Sequence, residues 1–325
     1  MRKLMVDLNK KKILLVRNDN VGDLICTTPA IEALRKKYPD NQIDIVVNSY
    51  NYSAIDKNPF VDKLYCYTKP KHKKGFFGKV KAALGKLAII INIIKEKYDV
   101  VVVFRSDYSK SAELFSNITN ARYKVGVKNL KGKDNFNIHI PVDNTKHEVE
   151  FCFDCLKEFG VNYDNENIFF YVPKEYVEKY VKYNNAILFH ISSRRENNKY
   201  KNEKFIKIIN SLALENILIS AEPEDFLNAE LIAKKTNAKF IKTSSLIDLA
   251  GLIKNVKLFV TLDGGAMHVA PALGVKTISI SGETNMDKWY PWGYKDLVIQ
   301  DSTKIANNIK NEDVSDIINK LMEII

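Results

Sequence analysis

The sequence contains few cysteines and no apolar run of membrane length. Its four cysteines are too few for a disulfide scaffold, and its one CxxC pair, Cys152 and Cys155, lacks the second ligand pair that a zinc site needs. No stretch of about 18 uninterrupted apolar residues is present, so no spanning helix is expected. The apolar run from Ile13 to Val16 is too short for a secretory signal. We therefore expect a protein of the reducing cytoplasm.

Acidic residues are outnumbered, and low-complexity tracts and short repeats are missing. The chain has 50 Lys and Arg against 39 Asp and Glu, a formal net charge of +11. This excess favours an anionic partner, either nucleic acid, anionic lipid or a phosphorylated substrate. No basic recognition helix or RNA-binding motif is found, so nucleic acid is not an expected partner. The composition, 46% hydrophobic, is that of a soluble globular protein.

Short apolar strands alternate with amphipathic helices along the whole chain. One such series begins at residues 11–16 and a second at residues 186–192, and a polar helical stretch at residues 171–185 separates them. Alternation of this kind predicts a parallel sheet in each half. We therefore predict an α/β protein of two domains, residues 1–172 and 173–325, with a cleft between them.

The first polar segment after a strand is RNDNVGD, residues 17–23. Ligands of parallel sheets bind beyond the carboxyl ends of the strands, and Gly22 permits close approach there. Asp23 is either a residue of the helix start or a carboxylate that faces the cleft as a general base. The following helix is predicted over residues 28–37, with Pro29 near its first turn.

A second polar segment follows the apolar strand at residues 98–104. It includes Arg105, Lys110 and Ser111. These residues form either an ordinary solvated loop with a helix cap, or a lining of the cleft that contacts an anionic or sugar partner.

Two further segments follow strands of the second domain. Ser192 and Ser193 supply hydroxyls that would bind phosphate oxygens, with the basic residues of 194–201 nearby. Glu222 is placed to bridge the hydroxyls of a ribose. The alternatives are a surface loop with counter-charges at 192–201 and a simple turn at Glu222.

The richest segment is DGGAMH, residues 263–268. Gly264 and Gly265 leave backbone N–H groups accessible at the start of a helix, which is an anion site suited to a diphosphate. Asp263 either orders the loop or contacts a sugar hydroxyl. His268 lies in the first helical turn, where it faces the same ligand or packs as a structural residue.

These motifs resemble the two signatures of glycosyltransferase family 9, which includes the ADP-heptose:lipopolysaccharide heptosyltransferases. The segment DGGAMHVAPALG at residues 263–274, followed by GET at residues 282–284, is similar to one signature. GDLICTTPAIEAL at residues 22–34 is similar to the other. Both occur in the expected order, and the resemblance covers about residues 11–295.

The resemblance implies a GT-B fold, in which two Rossmann-like parallel-sheet domains face a cleft. It also implies an inverting transfer of heptose, or a related sugar, from an ADP-sugar to a lipopolysaccharide core or other surface-glycan acceptor. No metal or other cofactor is implied. By the same resemblance, Asp23 is the general base, Lys110 and Ser111 line the acceptor side, and the donor is bound by Ser192, Ser193, Glu222, Asp263, Gly264, Gly265 and His268.

One segment departs from the family pattern. The family has Lys-x-Trp-Pro shortly after the hydroxyl pair, whereas residues 197–202 read NNKYKN. Aligning Tyr200 with the Trp puts Asn198 at the position of the Lys. The lysine that binds the diphosphate is therefore Lys199, Lys201 or neither.

The basic and apolar segment at residues 69–97 suggests a membrane contact. Residues 69–81 combine lysines with Phe76 and Phe77, and would lie on an anionic surface where a lipid-linked acceptor is found. Residues 87–97 are predicted to form a helix that packs on the first sheet, and the alternative for residues 69–81 is a simple basic loop before that helix. The expected location is thus the cytoplasm, with peripheral attachment to the inner face of the membrane.

Two alternatives share the nucleotide site but not the acceptor or the activity. One is another GT-B enzyme, such as a nucleotide-sugar epimerase or a transferase that uses a different nucleotide sugar. The other is a nucleotide-sugar-binding or regulatory protein with a decayed site, which the missing Lys-x-Trp-Pro motif supports and which Asp23 and the complete DGGxxH segment oppose.

Overall fold

The computed structural model describes residues 6–69 and 75–324. The chain divides into two compact units, Met1–Tyr171 and Val172–Ile325. Within the described residues, each unit is built on one six-stranded sheet in which all paired strands are parallel.

The described part of the first unit alternates strands and helices around a sheet of order β3-β2-β1-β4-β5-β6. Its elements are β1 (Lys12–Val16), α1 (Val21–Lys37), β2 (Gln42–Asn48), β3 (Lys63–Tyr67), α2 (Phe76–Glu96), β4 (Val100–Val103), α3 (Lys110–Asn117), β5 (Tyr123–Gly126), β6 (Ile138–His139) and α4 (Glu148–Asp154). The central strand β4 consists of four buried valines, as expected for a strand covered on both faces.

The second unit repeats this plan with the order β12-β11-β10-β7-β8-β9. Its elements are α5 (Lys174–Glu178), β7 (Ile187–His190), α6 (Asn202–Ser211), β8 (Ile217–Ser220), α7 (Phe226–Lys234), β9 (Lys239–Phe240), α8 (Leu246–Asn255), β10 (Leu258–Leu262), α9 (Ala266–Ala272), β11 (Lys276–Ser281), α10 (Met286–Trp289), β12 (Val298–Gln300) and α11 (Asn311–Ile324).

In both sheets the strand order reverses at a central pair of strands, β1 with β4 in the first and β7 with β10 in the second. Such an order is that of the Rossmann fold, in which ligands bind beyond the carboxyl ends of the strands at the change of direction. The prediction of an α/β protein with two Rossmann-like parallel-sheet units is confirmed.

Helix α1 begins earlier than predicted. It starts at Val21, so Pro29 lies in the middle of the helix and not near its first turn. Pro29 has no N–H to donate to the Ile25 carbonyl. The Thr28 hydroxyl donates to that carbonyl instead, at 2.7 Å, and the helix continues to Lys37.

Helix α2 includes the predicted helix at residues 87–97 and starts well before it, at Phe76. It packs on the first sheet through Ile89, Ile90 and Ile93. In the portion of the chain described by the structure, no helix combines the length and apolar character needed to cross a bilayer.

Candidate active site

The carboxyl end of β1 holds a buried cluster of one arginine and three carboxylates. Arg17 is fully buried. Its Nε donates to Asp19 Oδ1 at 2.9 Å, its Nη2 to Asp23 Oδ1 at 2.9 Å and its Nη1 to Glu148 Oε1 at 2.8 Å. Glu148 is the first residue of α4, and α4 packs against α1. Three carboxylates around one guanidinium give the cluster an excess of negative charge.

Within this cluster Asp19 and Asp23 have different pKa values. Burial raises the pKa of Asp19 to about 7, despite the opposing attraction of Arg17. Burial also acts to raise the pKa of Asp23, but the Arg17 charge and hydrogen bonds with Asn20 and Asp19 outweigh it and leave that pKa below its ordinary value. Asp23 is therefore ionised at neutral pH, and its side chain is 17% exposed against 8% for Asp19.

The predicted acceptor-side residues reach the same edge of the first sheet. Arg105 follows β4, and its Nη1 lies 3.8 Å from Asp19 Oδ2. Buried Asn18 donates to the Ser111 carbonyl at 3.2 Å, which joins the end of β1 to the start of α3. Lys110 is the first residue of α3 and is exposed. The structure thus brings Arg105, Lys110 and Ser111 next to the segment that carries Asp23.

Both serines after β7 connect neighbouring strand ends in the second unit. Ser192 Oγ accepts a hydrogen bond from the Glu222 backbone N–H at 2.8 Å. Ser193 Oγ donates to the Asp263 carbonyl at 2.9 Å. Ser192 therefore acts as an acceptor in its hydrogen bond, whereas Ser193 donates its proton within the loop. Burial raises the pKa of Glu222, while the nearby charge of Arg194 opposes this increase.

Asn198 holds the donor-side loops together and was missed as a functional residue by the sequence analysis. It is fully buried, and its Nδ2 donates to Asp263 Oδ2 at 2.6 Å. Its Oδ1 accepts from the backbone N–H groups of Gly282 and Glu283 at 3.0 and 2.9 Å. Thr284 Oγ1 donates to Asp263 Oδ2 at 2.6 Å. Of the two roles considered for Asp263, these contacts support the ordering of the loop.

The predicted donor lysine Lys199 is turned toward another surface residue. Its Nζ lies 2.7 Å from Glu196 Oε2, and its side chain is 52% exposed. The neighbouring Tyr200 is buried, with its hydroxyl donating to Asn311 Oδ1 at 2.9 Å. Tyr200 therefore anchors the loop to the core.

The start of α9 is open. Gly264 and Gly265 are exposed, and a Cβ placed on Gly264 would meet no atom within 4 Å. Neither its φ nor its neighbours require glycine at position 264, and the backbone there is open to solvent. His268 lies in the first turn as predicted, buried, with its ring edge-to-face against Trp289 at 6.2 Å.

A lipopolysaccharide heptosyltransferase 3 of Escherichia coli is 24% identical over an alignment of 299 residues, with 83% of each protein covered. A putative glycosyltransferase of Haemophilus influenzae is 22% identical over 86% of each. Among solved structures, a family 9 glycosyl transferase from Veillonella parvula has a TM-score of 0.83 at 20% identity, with 98% of both chains covered. E. coli heptosyltransferase WaaC with ADP has a TM-score of 0.78 at 18% identity, covering 95% of this chain and 99% of that one.

A family-level match extends over residues 87–318, well over half of the chain. It includes every donor-side residue described above and begins after Asp23. By this match the chain is a glycosyltransferase and belongs to glycosyltransferase family 9 (heptosyltransferase).

Proposed function

We propose that this protein transfers a heptose, or a related sugar, from an ADP-sugar to a lipopolysaccharide core or another surface-glycan acceptor, with inversion. The observation that carries the proposal is Asp23, an ionised and partly accessible carboxylate at the carboxyl end of the central strand pair of the first sheet. Similar proteins support the choice of substrates: lipopolysaccharide heptosyltransferase 3 of Escherichia coli, and WaaC with ADP or with ADP-2-deoxy-2-fluoro heptose.

In the proposed reaction, the oxygen of an acceptor hydroxyl attacks the anomeric carbon of the donor sugar. Asp23 accepts the proton of that hydroxyl as the new bond forms. The bond from that carbon to the diphosphate oxygen breaks on the opposite face, so the configuration inverts and ADP leaves with the bonding electrons. General-base assistance of this kind contributes roughly 10²–10⁴-fold to the rate.

The donor is proposed to lie against the second unit. The exposed backbone of Gly264 and Gly265 and the proton of Ser192 would stabilise the charge that develops on the leaving diphosphate, a contribution on the order of 3 kcal/mol per donor. Glu222 would hold the ribose, and His268 would face the sugar. Lys199 can join the diphosphate only by leaving Glu196.

Calorimetry with ADP-heptose, ADP, and UDP- and GDP-sugars, each with and without a chelator, tests the donor assignment. We expect selective binding of ADP-heptose that the chelator leaves unchanged, because the proposal requires no metal. Preference for another nucleotide sugar would retain the family and overturn the substrate. Binding of ADP-heptose that disappears with the chelator would overturn the metal-free reaction.

We further propose that α2 rests on an anionic membrane surface that carries a lipid-linked acceptor. Its outward face is apolar: Phe76 and Phe77 are 76% and 87% exposed, and Leu84, Leu87 and Ile94 are at least half exposed. Lys79 and Lys81 flank the two phenylalanines and are exposed. Of the membrane segment predicted at residues 69–81, residues 70–74 lie outside the described residues. The proposed location is the inner face of the cytoplasmic membrane.

A further inference from the structure

Helix α2 carries a second apolar face, turned away from the sheet on which the helix packs. The sheet-facing side includes Ile89, Ile90 and Ile93, which contact the core of the first unit. The outward side carries a stripe of six apolar side chains, each between 39% and 87% exposed: Phe77, Val80, Leu84, Leu87, Ile91 and Ile94. An apolar surface stripe of this length indicates a partner.

The spacing within the outward stripe is that of a helix that packs against another helix. Successive members are separated by three and four residues in strict alternation, an average of 3.5, from residue 77 to residue 94. This average keeps a stripe aligned with a second helix as the two helices coil around each other. Ala83 and Ala88 lie beside the stripe and are exposed, so their small side chains leave room for a second helix to approach.

The flanks of the outward stripe fit a second copy of α2 in parallel orientation. Lys81 and Lys95 lie on one flank, and Phe76, Ala83 and Ile90 lie on the other. In a parallel pair, each flank faces the opposite flank of the second helix. Lys81 would then lie beside Phe76 of the second copy, and Lys95 beside Ile90. Lysine stems cover apolar side chains of this kind while the ammonium groups stay in water.

An antiparallel pair fits less well. In that orientation like flanks meet across the stripe, so Lys81 would face Lys95 of the second copy, and two like charges directly opposite repel each other. The distribution of charge therefore favours the parallel pair.

We propose that the chain dimerises in solution by parallel pairing of the outward stripes of two α2 helices. The inference does not depend on sugar transfer, but it concerns the helix face that is proposed above to rest on a membrane. One stripe cannot be covered by both partners at once, so a second copy and an anionic membrane compete for it by mass action. The dimer would keep the apolar stripe out of water until a membrane takes the place of the second copy.

Sedimentation equilibrium of the full chain without lipid tests the pairing. We expect a reversible equilibrium between monomer and dimer that depends on chain concentration. Leu84→Ser/Ile91→Ser should raise the dissociation constant at least about a hundredfold, because four large apolar side chains per dimer lose their buried contacts. The variant should keep its fold, since both side chains are exposed in the single chain.

The matched control is Leu227→Ser, which removes an exposed leucine from α7 of the second unit. It should dimerise like the wild type. Equal weakening by Leu227→Ser, no weakening by Leu84→Ser/Ile91→Ser, or a wild type that is monomeric at every concentration overturns the proposal.

Lys81→Glu tests the orientation of the pair. In the parallel pair the new carboxylate lies beside Phe76 of the second copy, so the dissociation constant should not fall. In an antiparallel pair it would face Lys95, and attraction would replace repulsion. Tighter dimerisation of Lys81→Glu would therefore overturn the parallel orientation.

Energy transfer between copies labelled with donor and acceptor dyes at the amino terminus tests the competition. Adding vesicles that contain anionic lipid should lower the transfer as dimers become membrane-bound monomers, and transfer that persists on the vesicles would overturn the competition. A wild type that stays monomeric but binds these vesicles would overturn the dimer and leave the membrane contact standing. Heptose transfer by that monomer would leave the proposed function intact.

Discussion

At the scale of single residues, the cluster around Arg17 explains how one of two neighbouring aspartates is kept ready to accept a proton. Both Asp19 and Asp23 contact the same guanidinium at 2.9 Å. Because burial and charge repulsion oppose ionisation of both together, below about pH 7 the proton is held on the more buried Asp19, where it also supports the negative charge of Asp23 by hydrogen bonding. Asp23 is therefore the better candidate for general base.

Asp23→Asn should lower kcat by at least about a hundredfold, because the amide cannot accept the proton of the acceptor hydroxyl. Donor affinity should be retained, since the proposed donor residues lie in the second unit. The variant should fold, because Arg17 keeps Asp19 and Glu148 as partners. Steady-state kinetics with saturating donor measures the change, and Asp40→Asn, which removes an exposed carboxylate in the loop that follows α1, is the control. Normal turnover by Asp23→Asn would remove Asp23 from the mechanism.

Asp19→Asn should make stability less dependent on pH. The folded-state pKa of Asp19, about 7, is raised above its ordinary 3.8, so the folded chain holds a proton that the unfolded chain releases between these values. This contribution to stability is fully present below about pH 4 and is lost as the pH rises to about 7, up to a limit of about 4 kcal/mol.

The measurement for Asp19→Asn is the melting temperature relative to wild type at pH 5 and pH 8, since a chain of two units need not unfold in one step. The melting temperature of the variant, relative to that of the wild type, should be higher at pH 8 than at pH 5. Asp107→Asn, whose carboxylate is 69% exposed, should show no such trend. A difference independent of pH would show that Asp19 is ionised throughout.

At the scale of elements, the donor side depends on how the loops after β7, β10 and β11 fit together. Gly282 is required for this fit, because a Cβ there would lie 1.9 Å from the Asn197 carbonyl oxygen. At Gly264, by contrast, an added Cβ would meet no atom within 4 Å. The two glycines therefore predict opposite outcomes for the same change to alanine.

Gly282→Ala should lower the melting temperature by roughly 5–10 °C, because the loop must move to admit the methyl group. Gly264→Ala should melt like the wild type but bind ADP-heptose on the order of tenfold more weakly, about 1.4 kcal/mol, because its methyl group occupies the ligand space. Differential scanning fluorimetry and calorimetry on both variants make the comparison. Unchanged donor affinity in Gly264→Ala would move the diphosphate away from α9.

Sequence reasoning succeeded where the signal was local. The buried strands β4 and β7 are continuous apolar runs, and the polar segments after them were placed correctly at the strand ends. The edge strands β3 and β12 and the helix α11 were not predicted, because half-exposed elements have mixed composition.

The contacts that build the site are too distant in sequence to be read from a pattern. Glu148 is 131 residues from Arg17, and Asn198 bonds to residues 65 to 86 positions away. Asp19 lies in the same polar segment as Asp23 but precedes the start of α1, so helical spacing gives no signal that the two carboxylates meet at Arg17. Asn198 had been noted only as the occupant of a lysine position, whereas its amide supplies both the donor and the acceptor that three loops require.

At the scale of the whole molecule, the net charge of +11 and the exposed face of α2 point to the same partner. An apolar stripe on a surface helix is costly in water, and lysines beside it attract anionic headgroups. At physiological salt we expect the protein to sediment with vesicles that contain anionic lipid, and less with neutral vesicles. Both kinds of vesicle can take up the apolar side chains, but only anionic headgroups also attract the lysines.

The double variant Phe76→Ser/Phe77→Ser should reduce vesicle binding at least about tenfold, because burying one such ring contributes about 1.5–3 kcal/mol. Leu227→Ser is the matched control, since Leu227 is 81% exposed but lies on α7 of the second unit, and it should sediment like the wild type. Equal binding to neutral and anionic vesicles would contradict the role of the lysines. Equal loss in Leu227→Ser would contradict the role of α2, because binding would then follow general surface hydrophobicity and not this helix.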